Sequence, residues 1–179
     1  EAIFLDLPQL VETTPAFQPY LATNASPWPG SLVAYKSPTL DGFLPVVTVK
    51  RRAITGRLNA AFFKGPYSVF DMANALEVTI QSGTLASVSD DALFAGANAF
   101  AVESSPGSWE VLQAGIATLI GPRQYRLTRL LRGQKGTEVK MGNPTPAGSR
   151  FVVLDLGIYP VPIIEAEVGL PFNWRIGPA

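Results

Sequence analysis

The sequence predicts an all-β fold, built mainly from antiparallel hairpins in a barrel or sandwich, with one short helix near residues 89–98. Two observations carry this. Sixteen prolines and sixteen glycines are spread along the 179 residues and cut the chain into short segments. Those segments alternate apolar and polar side chains, the period of a half-buried strand and not that of a helix.

The elements follow in order. Ala2–Leu5, Ser31–Ser37, Leu44–Lys50 and Arg150–Asp155 read as strands. The stretch Pro8 to Gly30, with prolines at 8, 15, 19, 27 and 29, reads as an extended segment laid over the module. In Ala75 to Gln81, Leu76, Val78 and Ile80 share one face while Glu77, Thr79 and Gln81 share the other. Ser82-Gly83 supplies a turn, so Thr84 to Val88 is expected to return as the second arm of a hairpin. Trp109 to Ile120, broken by Gly121-Pro122-Arg123 and followed by Gln124 to Arg132, predicts a second and longer hairpin. Ser89-Asp90-Asp91 can cap and charge a helix start, with Leu93, Phe94, Ala97 and Ala101 at roughly helical spacing. Gly96 keeps that helix short.

Composition excludes several chemistries. There is no cysteine and no histidine, so a thiol nucleophile, a disulfide frame, a Ser-His-Asp triad and imidazole metal ligation are unavailable within the chain. Fourteen basic residues balance fourteen acidic ones, which argues against a nucleic-acid surface. Charged residues make up 16%, against about 25% in ordinary soluble domains. Such a surface suits burial by neighbours in an assembly. No apolar run reaches the ~20 residues of a membrane span. The chain opens on Glu1, not methionine, and reads as part of a longer protein. It is expected to form a single β-rich module over 1–179, with a possible sub-division near Asp71.

The stretch Arg126 to Glu138, RLTRLLRGQKGTE, is the most charged candidate. Its Gly133-Gln134-Lys135-Gly136-Thr137 loop lacks the Gly-Lys-Ser/Thr order of a phosphate-binding loop and precedes no convincing helix. A turn at a strand end is the expectation. Strict alternation puts Tyr125, Leu127, Arg129 and Leu131 on one side and Arg126, Thr128, Leu130 and Arg132 on the other. Neither face is purely apolar or basic, so solvated or paired arginines are favoured over a phosphate track. Arg132 is expected to pair with Glu138 across the turn. Glu165 and Glu167, two apart, would share one side of a strand, and a wet face explains them better than a glycosidase pair. Trp28, in Ser26-Pro27-Trp28-Pro29-Gly30, is a candidate surface contact for sugar or protein, weighed against packing on the module itself. Trp109 and Trp174 are expected in the core. The residues point to no catalytic, metal or cofactor site.

Several elements together carry a family resemblance. They include Phe4-Leu5-Asp6-Leu7-Pro8, Trp28-Pro29-Gly30, Phe70-Asp71-Met72-Ala73-Asn74 and Gly83-Thr84-Leu85-Ala86-Ser87-Val88. Trp109-Glu110-Val111-Leu112-Gln113, Gly148 to Asp155 and the closing Arg175-Ile176-Gly177-Pro178-Ala179 add to them. The most specific is the signature Leu130, Leu131, Arg132, Gly133, Gly136, Thr137 and Glu138. On these residues the chain resembles the C-terminal region of the large tail-hub protein of gene transfer agents and related siphophages (the megatron, or TIM-barrel-like tail protein, family).

The resemblance implies a structural, non-enzymatic module of a phage-type tail-tip hub, a virion component made in the bacterial cytoplasm from a prophage or gene transfer agent cluster. It implies other tail-tip or baseplate proteins as partners and a homotrimeric hub. The rival reading is a carbohydrate- or receptor-binding module contacting a bacterial surface glycan through Trp28.

Overall fold

The computed structural model describes residues 1–179, and the chain divides into two compact units. One comprises Glu1–Ala53 together with Leu156–Ala179, and the other is the continuous stretch Ile54–Asp155. Asp71 lies inside the second. The fold is mostly β, 42% strand against 8% helix, with antiparallel sheets.

The first unit contains two three-stranded sheets. β1 (Ala2–Leu5) pairs with β2 (Tyr20–Thr23), which also pairs with a late strand, Ile158–Pro160. β3 (Leu32–Ser37) lies between β4 (Leu44–Val49) and the last strand, Asn173–Pro178. Leu21, Leu32, Ala34, Val49 and Val161 form the buried cluster that both sheets share. The proline-rich stretch is therefore more than a covering segment. Its four residues Tyr20–Thr23 are all buried and form the central strand of a sheet, a role that Pro19 permits because it sits just outside the ladder.

The second unit is a barrel. Its strands are β5 (Thr55–Leu58), β6 (Phe70–Asp71), β7 (Leu76–Ile80), β8 (Ala99–Ser105), β9 (Ser108–Gly121), β10 (Gln124–Leu131) and β11 (Arg150–Val153). The hydrogen-bonded order β10-β7-β5-β11-β8-β9 closes because β9 also pairs with β10. Six strands thus form a ring with no free edge, which removes the open ladder that an unclosed sheet presents. Leu76, Val78, Phe100, Leu112, Leu127 and Phe151 fill its interior. Val153 N–H donates to the Ile54 carbonyl at 2.9 Å, so the two ends of the barrel segment lie side by side. The remaining strands of the first unit are β12 (Ile158–Pro160) and β13 (Asn173–Pro178).

The strands expected from alternation are present within a residue or two. The hairpin arm expected at Thr84–Val88 is not a strand. Both edges of β7 are already taken, by β5 on one side and β10 on the other. The long hairpin is β9–β10, turned by Pro122 and by Arg123 at φ +57°. Helix α1 spans Asp90–Phe94, and the Ser89 side chain accepts from Ala92 N–H at 3.3 Å. It stops before Gly96, whose φ is +97°, and Ala101 belongs to β8.

Candidate functional site

The Arg126–Glu138 stretch runs along β10 and over one end of the barrel. Tyr125 and Leu127 face the core, and so does Leu130. Two inward residues separated by three positions cannot come from a flat strand. The break is Arg129, whose φ of +56° places it in the left-handed region. It reverses the alternation, so that Leu130 and Arg132 point inward while Leu131 is half-buried. The mixed faces read from strict alternation are two clean faces joined by this kink. β10 pairs with β7 before it and with β6 after it.

Inward projection carries Arg132 into a dry interior. Its side chain is 0% exposed, as are those of Glu110 and Asp71. Nε and Nη2 donate to the two Glu110 carboxylate oxygens at 2.6 and 2.9 Å. Nη1 donates to the Phe63 carbonyl at 3.0 Å and to Asp71 Oδ2 at 3.3 Å. The guanidinium carbon lies 3.8 Å from the centroid of the Phe62 ring. The expected partner Glu138 is replaced by Glu110 and Asp71, because the side chain turns into the barrel and not across the loop.

Two carboxylates face one guanidinium, and backbone and amide donors meet the excess negative charge. Asp71 Oδ1 accepts from the N–H groups of Ala73 and Asn74 at 3.1 and 3.0 Å, and Oδ2 accepts from Asn74 Nδ2 at 2.8 Å. Burial pushes the Asp71 carboxyl up. The Asn74 side chain, the backbone N–H groups of Asn74 and Ala73, and the Arg132 charge outweigh it and hold the group below its ordinary value.

The glycine loop completes the arrangement. Gly133 is left-handed, with φ +58°, and its N–H donates to Glu110 Oε1 at 3.3 Å. A Cβ there would lie 2.7 Å from the Glu138 Cα and 2.8 Å from the Met141 methyl, so the position requires glycine twice over. Gly136 has φ +79°. The buried Thr137 hydroxyl accepts from Val111 N–H on β9 at 2.9 Å and donates to the Gln134 carbonyl at 2.8 Å. Glu138 opens a single 3-10 turn and is half-buried. The loop does receive an anion, and that anion is the protein's own Glu110. Its glycine N–H and threonine hydroxyl are committed within the fold.

The other arginines of the stretch are also paired. Arg126 sits directly opposite Glu77 and bonds it at 2.6 and 2.9 Å. Arg129 forks onto Asp90 at the start of α1 and lies over the Phe70 ring at 4.3 Å. The buried Gln113 amide then donates to the Leu93 and Ala97 carbonyls at 2.7 Å each, tying the far end of α1 to β9. None of the three arginines is left as a phosphate track.

Outside the barrel, Glu165–Glu167 is a 3-10 turn and not a strand. Glu167 is engaged by Lys36, whose ammonium bonds both its oxygens at 2.7 Å, while Glu165 is exposed. The shared strand face expected of the two is absent. Trp28 is half-buried and packs against the cluster of Leu21, Leu32 and Val161. Trp109 is buried, whereas Trp174 is half-buried and meets Phe4 with ring centroids 4.8 Å apart. No group of three or more His, Cys, Asp or Glu side chains is placed to hold a metal ion. No helix is long and apolar enough to cross a membrane.

The sequence reading missed Glu110, Asp71 and Phe62 as members of this cluster. One signal was available for the first. On β9, Glu110 has the parity of Leu112 and Ala114, which line the core, and a carboxylate on that face demands a cation.

A family model described as Rcc01698-like, C-terminal, matches residues 53–152. The chain belongs to the Rcc01698-like, C-terminal family. Rcc01698 is a gene transfer agent protein of Rhodobacter. The matched range of this Rcc01698-like domain is the barrel, Ile54–Asp155, nearly end to end. It includes Asp71, Glu110 and the whole Leu130–Glu138 signature. No curated protein matches the chain.

Proposed function

We propose that this chain is a structural module of a gene transfer agent tail-tip hub, where it holds tail geometry and contacts neighbouring tail proteins within a trimeric hub. The observation that carries the reading is the coincidence of the Rcc01698-like match with one closed barrel. The arginine of that barrel's most distinctive loop is spent on packing, with Glu110 and Asp71 as its buried partners. In this reading the module catalyses nothing and takes no cofactor. Its large exposed apolar side chains support a place inside an assembly: Tyr67, Val69, Met72 and Phe94 are each 56–71% exposed.

The test is genetic. Deletion of residues 54–155 from the full-length protein in the producing strain is expected to leave filled heads with absent or truncated tail tips in electron micrographs. Normal tails and unchanged gene transfer would overturn the assignment.

A further inference from the structure

We propose that the first unit carries a binding site for an organic ammonium group of the alkylated or trimethylammonium type. The site is a cleft of about 330 Å³ beside β1 and β13. Four rings line it: Phe4, Phe17, Phe172 and Trp174. Phe4 and Trp174 meet at 51° between planes, so they form a corner and not a flat platform. Aromatic faces set around a concavity attract a cation through their quadrupoles, and quaternary ammonium groups are the ligands such cages suit best.

The charges agree. Asp6 and Glu167 are the charged side chains of the lining. Lys36 neutralises Glu167 at 2.7 Å, whereas Asp6 is exposed and carries no salt bridge. One negative charge is left over for an incoming cation. Another ring of the lining already carries an ammonium, because Lys36 Nζ lies 4.6 Å from the Phe172 centroid. Both charged lining groups are carboxylates, which repel anions. The volume falls at the small end of ligand pockets, about 300–1,000 Å³. That fits a single headgroup and not an oligosaccharide. The site stands apart from the tail assignment, and neither depends on the other.

The experiment titrates the 179-residue chain with choline and with its neutral isostere 3,3-dimethylbutanol, reading the Trp174 indole resonance by NMR. Choline is expected to shift it saturably, and the isostere to bind at least tenfold more weakly. Asp6→Asn and Phe17→Ala each alter an exposed side chain and are expected to weaken choline about tenfold. Asp91→Asn, in the other unit, is expected to change nothing. Pelleting with phosphatidylcholine vesicles, reversed by free choline, would assign the group to a lipid headgroup. Choline binding without pelleting would assign it to a soluble or protein-borne ammonium. Equal binding of the isostere, no shift with choline at millimolar concentration, or undiminished binding by Asp6→Asn would overturn the proposal.

Discussion

Arg132 and Glu110 meet as a two-pronged pair, at 2.6 and 2.9 Å, at one end of the closed barrel with both side chains excluded from solvent. A buried pair of this kind is costly to assemble and more costly to break, since removing one member strands the other in a medium that cannot solvate it.

Arg132→Met is therefore expected to destabilise the barrel by about 3–5 kcal/mol, lowering the melting temperature by roughly 10 °C or more. Arg132→Lys should not rescue it, because an ammonium cannot reproduce the planar fork. Glu138→Gln should stay within about 0.5 kcal/mol of the parent. Thermal unfolding of the three variants checks the set, and a harmless Arg132→Met would remove Glu110 and Asp71 as its partners.

Acid should weaken the same cluster. The folded-state pKa of Asp71 lies below its ordinary value of 3.8. Its contribution is thus complete above that ordinary, unfolded-state value and disappears as the pH falls through the lower folded-state value. Glu167, held low by Lys36 and by the Ile164 N–H, acts in the same direction. With no histidine or cysteine, stability is expected to be level between about pH 5 and 8 and to fall below about pH 4. Urea titrations across pH would show it, and Asp71→Asn should flatten the acid limb.

Gly65 is packed against the cluster from outside. A Cβ there would collide with Asp71 Oδ2 and lie 2.9 Å from its Cγ. Four N–H donors, from Ala73, Asn74 and Arg132, pin that carboxylate, so it cannot step aside. Gly65→Ala is expected to cost about 1–3 kcal/mol. Gly177→Ala, with nothing within 4 Å of the new methyl, should be close to neutral in the same denaturant assay.

Gln113 provides a separate check on how α1 is fixed. Its amide satisfies two carbonyls of that short helix region. Gln113→Ala removes the amide donor from the Ala97 carbonyl and leaves the Leu93 carbonyl with the Gly96 N–H alone, and should cost about 1–3 kcal/mol. Faster amide exchange at the Ala95 and Ala97 N–H groups, whose acceptors lie in the same turn, would locate the damage.

The fold class was legible because β7 advertises itself by alternation, β3 and β4 by short apolar, β-branched runs between turn residues, and α1 by Ser89 and its acidic first turn. What stayed hidden was non-local. Closure depends on β11 lying between β5 and β8, a pairing over long sequence separation with no local signature. β5, Thr-Gly-Arg-Leu, has little apolar content to signal a strand. The Arg132 cluster was half legible: a family signature marked the loop, but the reversal at Arg129 hid which way the guanidinium points. Only the parity of Glu110 with Leu112 hinted at its partner.

The hydrogen bond between Ile54 and Val153 has an evolutionary corollary. A segment that leaves and rejoins its host through a single doorway, about one interstrand spacing wide (~4.8 Å), behaves as a cassette. Recombination at that doorway could exchange one barrel for another, or remove it, while the flanking strands keep their own path. Relatives of this chain are then expected to differ by whole-cassette replacement at the 53/54 and 155/156 joints more readily than by piecemeal loop growth.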